Sequence, residues 1–353
     1  MTRLLHVGIG GFGRSWASEV VPSVSGVEPV GYVDLVPEHL AFVSNSGLAQ
    51  ASRCFGSLED ALAAVDADAV LVTTNLPGHA PVVSRALEAG LDVLVEKPFA
   101  PTVAQAGELV ELAAANNRIV MVSQNYRFFP AVRAVQALMR DADLGELRSI
   151  DIDFRKGVRP GPVSTTRPPL AEPLLSDMAI HHFDLLRAVT GREPTSIFCR
   201  SWRPGGYPYA GPPAASAVID LDSVDGVDSV DSGLSASYRG SWISPGPSTT
   251  WAGDWSMAFD RAEVVWTSRG GDFDDIAALD VVTIRWDDGR VETPPLPRLA
   301  HVDRAGSLAE FAAARAEGRA PETAGAQNLG SLALSEAAIE SAATGMPVAI
   351  DLD

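Results

Sequence analysis

The sequence predicts an α/β protein: an N-terminal Rossmann domain with a parallel, doubly wound sheet, then a C-terminal α/β domain with a large, open and mainly antiparallel sheet. Short apolar runs alternate with amphipathic stretches over residues 1–125. Strand-like segments then follow one another with few helical stretches between them. The length of 353 residues exceeds what one hydrophobic core usually spans. We therefore predict domains at 1–125 and 126–353, the second serving substrate binding and oligomerisation.

The apolar runs of the first domain are predicted to be strands of βαβ units. They are LLHVGIG, PVGYVD, DAVLVTT, DVLVEK and RIVMVSQ, and the amphipathic stretches between them are predicted to be crossover helices. Nearly continuous apolar strands are typical of a sheet buried on both faces.

The second domain contains strand-like segments rich in Trp, Val and Thr, among them SIFCRSW, LSASYRGSWIS, DWSMAFD and AEVVWTS. The stretch WDDGRV predicts a hairpin. The outer face of this sheet is either a subunit interface or covered by helices. Helices are predicted near SLAEFAAARAEG and NLGSLALSEAAIESAATG. The Asp-rich residues 223–233 lack EF-hand spacing and are interpreted as a solvated loop.

The composition excludes several classes of protein. The formal net charge of -18 disfavours binding to nucleic acid or an acidic membrane surface. Two cysteines are too few for a disulfide framework or a structural zinc site, and we predict no metal. No apolar run is long enough to span a membrane. We therefore expect a soluble, cytoplasmic protein.

The first motif is VGIGGFG, which places Gly8, Gly10 and Gly13 in the G-x-G-x-x-G pattern directly after a strand. In a Rossmann domain the first glycine permits the turn, the second lets the backbone approach a pyrophosphate, and the third packs helix against strand. Asp34 ends the next strand, where a carboxylate binds a ribose 2′-hydroxyl and repels a 2′-phosphate. We predict NAD rather than NADP.

The second motif is VEKP, in which Glu96 and Lys97 end an apolar strand. The chain has 25 arginines and only two lysines, Lys97 and Lys156. A lysine ammonium is a compact charge whose pKa falls readily on burial, so it suits stabilisation of an alkoxide or transfer of a proton. Lys97 is therefore a candidate catalytic residue.

The third motif is SDMAIHHFDLLR. If residues 177–188 form a helix, Asp177, His181 and Asp184 share one polar stripe, whereas His182 lies among apolar residues. Two neighbouring carboxylates would raise the basicity of His181 and orient its ring. We predict that His181 is the base and that His182 is a hydrogen-bonded packing residue. A purely structural His181, with Asp177 as a helix cap, remains the alternative.

Together these motifs resemble the Gfo/Idh/MocA oxidoreductase family. Their order matches the family over nearly the whole chain: VGIGGFG, then TTNLPGHAPVVSRALEAGLDVLVEKPFA, then VSQNYRFFP, then DMAIHHFD. The resemblance implies an NAD(P) cofactor, a sugar, polyol or inositol substrate, and a homodimer or homotetramer formed through the C-terminal sheet. Departures are EPLLSD in place of a glycine-rich run and Ala179 in place of a glycine, and they leave the substrate open.

The resemblance also implies roles for individual residues. Lys97 and His181 would be catalytic, and Asp177 would bind substrate and tune the histidine. Cofactor contacts would come from the glycine-rich turn and from the segments at the ends of the following strands. These residues are Gly8, Gly10, Gly11, Phe12, Gly13, Asp34, Thr73, Thr74, Asn75, His79, Glu96, Lys97 and Gln124. Substrate contacts would come from Tyr126, Arg127, Arg155, Asp177, His181 and Tyr238.

We therefore predict an NAD-dependent dehydrogenase that oxidises a hydroxyl of a sugar or cyclic polyol. The first alternative is an internal-redox enzyme, such as an NAD-dependent glycosidase or an aldose–ketose oxidoreductase, in which the cofactor is reduced and reoxidised in one cycle. The second is a non-catalytic regulator that binds nicotinamide or sugar; loss of the lysine or histidine would favour it, and both are present.

Overall fold

A computed structural model describes residues 1–157, 171–206, 209–222, 233–271 and 275–351. Residues 223–232, most of the predicted Asp-rich loop, lie outside these ranges. The chain divides into two compact units, Met1–Asn125 with Ala300–Leu329 and Tyr126–Leu299 with Gly330–Asp353.

Within the described residues the strands are β1 (Thr2–Val7), β2 (Val27–Val33), β3 (Cys54–Phe55), β4 (Ala69–Val72), β5 (Asp92–Glu96), β6 (Val120–Ser123), β7 (Leu147–Arg155), β8 (Pro194–Trp202), β9 (Ala214–Leu221), β10 (Leu234–Ser241), β11 (Asp254–Phe259), β12 (Ala262–Thr267), β13 (Val281–Trp286), β14 (Val291–Glu292) and β15 (Val348–Ala349).

The α-helices are α1 (Gly11–Ser15), α2 (Val21–Ser23), α3 (Pro37–Asn45), α4 (Leu58–Ala64), α5 (Leu76–Glu88), α6 (Val103–Ala115), α7 (Pro130–Leu138), α8 (Ile180–Thr190), α9 (Asp303–Glu317) and α10 (Gly325–Thr344). Two π-helical turns, Trp16–Val20 and Leu175–Ala179, lie within the helical runs that contain α1 and α8.

The first unit contains a parallel sheet with the strand order β3-β2-β1-β4-β5-β6. This order is that of a Rossmann domain, in which ligands bind at the carboxyl ends of the strands. The prediction of a parallel, doubly wound sheet is confirmed. Strands β4 and β5 are buried at every position, because helices cover both faces of the sheet.

The second unit contains a sheet with the order β14-β13-β12-β11-β7-β10-β9-β8-β15 among the described residues. Only the β7–β10 pair is parallel there, so the predicted large, mainly antiparallel sheet is confirmed. The predicted hairpin joins β13 to β14. β7, which pairs with β10 and β11 inside this sheet, was not among the predicted strands.

The two faces of this second sheet differ. Burial alternates along β9, so that Ala217 and Ile219 face the core while Val218 and Asp220 are exposed. The inner face contributes Trp255 and Trp266 to a core that also contains residues of α7 and α8. Helices therefore cover the inner face, and the outer face carries polar side chains with a few exposed apolar ones.

The units differ from the predicted division at one place. We expected one continuous second domain from 126 to 353, whereas Ala300–Leu329 groups with the first unit. The reason is that α9 packs against β5 and β6 of the parallel sheet.

Candidate active site

The glycine-rich turn follows β1 and contains glycines of two kinds. Gly8 has a φ of +96°, and a Cβ on Gly13 would lie 1.9 Å from the Gly8 carbonyl oxygen, so the protein itself requires both. A Cβ on Gly10 would meet nothing closer than 3.6 Å, and one on Gly11 nothing within 4 Å. The protein's own packing thus does not explain Gly10, whereas close approach of a pyrophosphate does.

Asp34 lies beside this turn. Its carboxylate accepts hydrogen bonds from the backbone N–H of Ile9, at 2.6 Å, and of Val36, at 2.8 Å. The His39 ring is 3.1 Å away, and Phe12, half exposed in the turn, lies under the Arg304 guanidinium. The predicted ribose-binding carboxylate is therefore held next to the predicted phosphate-binding turn.

A buried polar chain supports the turn from beneath. The Thr73 hydroxyl lies 2.5 Å from the carbonyl oxygen of Gly8, to which it donates, and 2.8 Å from Nε2 of His6. Since the hydroxyl proton goes to Gly8, Nε2 of His6 donates to the threonine oxygen. Burial lowers the pKa of His6 to about 3, which keeps its ring neutral. The Thr73 side chain thus contacts the backbone of the glycine turn.

The loops after β4 and β5 are tied together by His79. Its Nδ1 lies 2.8 Å from the carbonyl oxygen of Pro98, and its Nε2 lies 3.2 Å from that of Thr74. Burial lowers the pKa of His79, so the neutral ring donates to one of these carbonyls. Asn75 is exposed at the start of α5. His79 therefore fixes two loops, whereas Thr74 and Asn75 remain accessible at the sheet edge.

Glu96 organises the start of the Lys97 loop. Its buried carboxylate accepts a hydrogen bond from the Trp16 indole N–H at 2.8 Å and one from the Lys97 backbone N–H at 3.1 Å. Burial raises the pKa of Glu96, while the charge of Lys97 acts in the opposite direction. Glu96 therefore links Trp16, in the helical run after the glycine turn, to the backbone of the candidate residue Lys97.

Gln124 follows β6 and is 1% exposed. Both its side-chain amide atoms lack a hydrogen-bond partner among the described residues. An unsatisfied buried amide is costly, and a ligand amide is one group that would satisfy it. Together with the space at Gly10 and the position of Asp34, this makes the first unit fit a nicotinamide dinucleotide.

In the second unit, His181 lies at the start of α8 and is 5% exposed. Its ring stacks on Tyr126, with centroids 4.0 Å apart and planes 6° apart. Asp177 is exposed and belongs to the π-helical turn before α8, so the expected continuous α-helix from 177 is wrong. His181 and Tyr126, both predicted site residues, are brought into direct contact.

The expected polar stripe is also wrong at Asp184. This carboxylate is buried, accepts two hydrogen bonds of 2.7 Å from Arg127, and accepts a third from the Ser331 hydroxyl. It therefore serves Arg127 rather than His181. Arg127, predicted to contact substrate, is 6% exposed and is half of this buried ion pair.

His182 is buried, as predicted for a packing residue. Its Nδ1 lies 3.1 Å from the Tyr238 hydroxyl and its Nε2 lies 3.0 Å from the Trp251 carbonyl oxygen. Burial lowers the pKa of His182 to about 4. Tyr238, predicted to contact substrate, is 2% exposed within the core, and burial raises its pKa. In the structure the Tyr238 hydroxyl hydrogen-bonds to the His182 ring and so helps to hold it in place.

Arg155 lies on the outer face of the sheet. It pairs with Asp153 at 2.9 Å and Asp254 at 3.3 Å, whereas α8 packs on the inner face. The predicted substrate contact of Arg155 therefore does not agree with its position. The next residue, Lys156, points the other way, and its ammonium lies 4.7 Å from the centroid of the Trp251 ring.

Sequence reasoning missed Lys156, Trp251 and Arg269, the last of which lies against the Tyr126 ring at 4.6 Å. The signal for Lys156 was present, because the rarity of lysine singles it out as much as Lys97. No group of histidine, cysteine, aspartate and glutamate residues in the described ranges could hold a metal ion. Nor does any helix in those ranges have the length and apolarity needed to cross a membrane.

Two family models match the chain. Residues 2–124 match the oxidoreductase family with an NAD-binding Rossmann fold, and residues 132–268 match the GFO/IDH/MocA C-terminal domain. The protein y4oX of Sinorhizobium fredii is 27% identical over 74% of this chain and 70% of its own length. The inositol 2-dehydrogenase of Leifsonia xyli is 31% identical over 55% of this chain, and the match spans only 56% of that enzyme.

A solved structure shares the fold. It is an oxidoreductase from Agrobacterium radiobacter in complex with NAD+, L-tartaric acid and magnesium, with a TM-score of 0.81 at 21% identity over 99% of this chain and 98% of that one. The parallel sheet with its glycine turn, the mainly antiparallel sheet with α8, and the two family models all indicate the same family. The chain belongs to the Gfo/Idh/MocA family of oxidoreductases with an NAD-binding Rossmann fold.

Proposed function

We propose that this chain is an NAD-dependent dehydrogenase that oxidises a hydroxyl of a sugar, cyclic polyol or sugar derivative. The observation that carries the proposal is the glycine turn, in which the space at Gly10 is left open beside the Asp34 carboxylate. When bound, the nicotinamide supplies the acceptor for the hydride. Similarity to an inositol 2-dehydrogenase supports the polyol class of substrate.

The acid–base roles fall on two residues. His181 takes the proton of the substrate hydroxyl as the carbinol C–H bond breaks, with Asp177 binding substrate and orienting the histidine. The stacked Tyr126 ring limits rotation of the His181 ring. Lys97 stabilises the negative charge that develops on the substrate oxygen.

The cofactor is NAD rather than NADP. Asp34 carries a negative charge where a 2′-phosphate would lie, and like charges repel. Substitution Asp34→Ser removes that charge, and we expect the ratio of kcat/KM for NAD to that for NADP to fall by about tenfold or more, or about 1.4 kcal/mol. A ratio that does not change would contradict the assignment of Asp34.

The direct test uses purified protein, NAD and a panel of inositols, aldoses and amino sugars, with NADH absorbance as the readout. Lys97→Met and His181→Ala should each lower turnover by about 100-fold or more, the range of general acid–base catalysis, with NAD affinity retained. His301→Ala is the matched control, because His301 has no assigned role. Near-normal turnover of either variant would overturn the roles.

The same assay separates the internal-redox alternative. Solvent deuterium that enters a substrate carbon without release of NADH would show that the cofactor is reoxidised within the cycle. Bound NAD with neither NADH release nor deuterium exchange would favour the regulator.

We also propose a cytoplasmic homodimer or homotetramer formed through the outer face of the second sheet. Phe198, Trp202 and Val218 are 40–49% exposed there, and Phe198 pairs directly with Val218 across β8 and β9. Apolar side chains grouped on a sheet face are typical of an interface. Light scattering of Phe198→Glu should show dissociation, and an unchanged mass would contradict the interface.

A further inference from the structure

The buried Tyr126 ring contacts both the candidate base and an arginine. It stacks on the His181 ring, with centroids 4.0 Å apart and planes 6° apart. The guanidinium carbon of Arg269 lies 4.6 Å from the centroid of the same ring, and its Nη1 donates to the Tyr126 hydroxyl at 3.1 Å. A cation over an aromatic ring and a hydrogen bond to its hydroxyl both restrain that ring. Arg269 therefore restrains the ring on which His181 is stacked.

The backbone of Arg269 has a conformation that is unusual for a residue with a side chain. Its φ is +58°, in the left-handed region that favours glycine. Two glycines, Gly270 and Gly271, follow it directly. Such a conformation is costly for other residues and persists where surrounding contacts determine it, often at functional sites. An arginine at a position that favours glycine indicates that its side chain is needed.

Hydrogen bonds hold Arg269 in this conformation. Its N–H donates to the Asp280 carboxylate at 2.8 Å, and its carbonyl oxygen accepts from the Trp251 N–H at 3.1 Å. The same carboxylate accepts a hydrogen bond of 3.0 Å from the N–H of Ala131, at the start of α7. Since α7 begins shortly after Tyr126, Asp280 joins the loop of Arg269 to the segment that carries the stacked ring.

A second connection reaches α8 through the neighbouring histidine. The carbonyl oxygen of Trp251 accepts a hydrogen bond from Nε2 of His182 at 3.0 Å, and His182 follows His181 in α8. The Arg269 guanidinium also lies 5.8 Å from the centroid of the Trp251 ring. The loop that carries Arg269 is therefore tied to α8 through Trp251 as well as through Tyr126.

The orientation of the His181 ring matters for its assigned role. A general base must meet the hydroxyl proton at hydrogen-bond distance and in the right direction. A small misplacement of a reacting group can lower the rate by about 100-fold, even when the substituted residue lies away from the chemistry. A residue that fixes the plane of the Tyr126 ring would therefore act on proton transfer without contacting the substrate.

We propose that Arg269 is a positioning residue, which fixes the plane of the Tyr126 ring and thereby the plane of the His181 ring. Its effect falls on turnover rather than on the binding of substrate or NAD. The kinetic consequence rests on the proposed dehydrogenase function. The orientation of the His181 ring does not, because it can be measured without a substrate.

The first measurement is NMR of protein with isotope-labelled histidine. Protons of an imidazole that is stacked on a tyrosine ring resonate upfield of their ordinary position, because of the ring current. The chain has six histidines, and His181→Ala identifies the signal of His181. In Arg269→Gly, a substitution that suits the backbone, this signal should move toward the ordinary position. The signal of His6, which lies in the first unit, should stay where it is.

Kinetics in the NADH assay measure the consequence for turnover. Arg269→Gly should lower kcat by about 10- to 100-fold, while KM and the Kd for NAD stay within about threefold of the wild type. Arg269→Lys retains a cation for the Tyr126 ring and should recover most of the turnover. Arg290→Gln removes an exposed arginine of the same unit and should leave kcat unchanged. Urea unfolding of each variant shows that it is folded.

A double-mutant cycle tests whether Arg269 acts through Tyr126. The stack is lost in Tyr126→Leu, so addition of Arg269→Gly should lower kcat little further. An equal loss in both backgrounds would show that Arg269 acts independently of the ring, which overturns the proposal. If Tyr126→Leu does not fold, Tyr126→Phe serves in the cycle, because it keeps the ring and loses only the hydroxyl that accepts from Arg269.

The outcomes separate this proposal from the dehydrogenase itself. An unchanged His181 signal in Arg269→Gly overturns the positioning role, whether or not the protein oxidises a polyol. A rise in KM with an unchanged kcat also overturns it, because it would place Arg269 in substrate binding. If no compound yields NADH, the dehydrogenase fails, and the NMR comparison still decides whether Arg269 orients His181.

Discussion

In the first unit, the polar groups of the candidate site are held mainly by backbone atoms. Asp34 accepts from two backbone N–H groups, His79 contacts two carbonyls, and Thr73 donates to the carbonyl of Gly8. In the second unit, side chains hold one another: His181 stacks on Tyr126, and Arg127 pairs with Asp184.

The two units are therefore vulnerable to different kinds of substitution. A site built on backbone groups keeps its geometry as long as the chain path is kept, so added atoms disturb it most. A site built on rings and ion pairs depends on charge and on partner side chains, so removal of one member disturbs it most. Several variants test that contrast, and they are given in decreasing order of the change expected.

The largest effect is expected from Arg127→Ala. It leaves the buried Asp184 carboxylate with only part of its hydrogen bonding and no compensating cation among the contacts described above. The free energy of unfolding should fall by about 3–5 kcal/mol. Chemical denaturation followed by tryptophan fluorescence measures this, since six of the seven tryptophans follow residue 126.

The control for this prediction is Arg290→Gln, which removes an exposed arginine from the same unit. Its effect on unfolding should stay within about 0.5 kcal/mol. If the two variants were equally stable, the buried ion pair would not carry the importance assigned to it.

The two glycines of the turn should respond differently to a methyl group. Gly13→Ala overlaps the Gly8 carbonyl, so we expect a loss of about 1–3 kcal/mol of stability together with NAD binding. Gly10→Ala has room for its methyl group in the protein, so it should keep its stability and lose about tenfold in NAD affinity, or about 1.4 kcal/mol. Equal destabilisation by both would contradict a ligand-related role for Gly10.

Thr73→Val tests the support beneath the turn. It removes the donor to the Gly8 carbonyl and the acceptor for His6, and should cost about 1–3 kcal/mol. Thr73→Ser keeps the hydroxyl and should lose less. The expected change is confined to the unfolding transition of the first unit; an equal shift in the second would argue against a local effect.

The smallest effect concerns pH and His182. Its folded pKa of about 4 lies below the ordinary value of 6.5, so its contribution to stability is complete above pH 6.5 and is lost as the pH falls toward 4. The slope is at most about 1.4 kcal/mol per pH unit. Urea unfolding of wild type and His182→Gln at pH 8, 7, 6 and 5 measures it, and carboxyl groups common to both cancel in the difference. Identical slopes would show that His182 does not titrate as proposed.

The contrast also explains what the sequence could predict. In a parallel sheet every strand ends at the same edge, so a motif at the end of a strand reveals its position. The glycine turn, Asp34 and Lys97 could therefore be located from pattern alone. In the second sheet neighbouring residues face opposite sides, so the register of β7 decides which of Arg155 and Lys156 lies on the outer face. The sequence pattern does not determine that register.

Other errors in the second unit have physical causes of the same kind. The helical periodicity placed Asp184 beside His181. In the structure its buried carboxylate instead accepts hydrogen bonds from Arg127 and Ser331, which are distant in sequence. The π-helical turn at Leu175–Ala179 changes the angular spacing before α8, and no residue in that segment signals it. Trp251 lies in the loop before β11 and Arg269 in the loop after β12, and periodicity carries no information in such loops.

The scarcity of lysine has a practical consequence. The chain has only two side-chain amines, those of Lys97 and Lys156, and the lowered pKa of Lys156 makes its neutral, nucleophilic form more abundant than that of an ordinary lysine at the same pH. Among side chains, acylating reagents would therefore modify only these two positions, and immobilisation through a side-chain amine would attach the protein by one of them. Because there are so few lysines, a reagent that labels side-chain amines reports on only two positions, and the number of labels per chain shows how many of them have reacted.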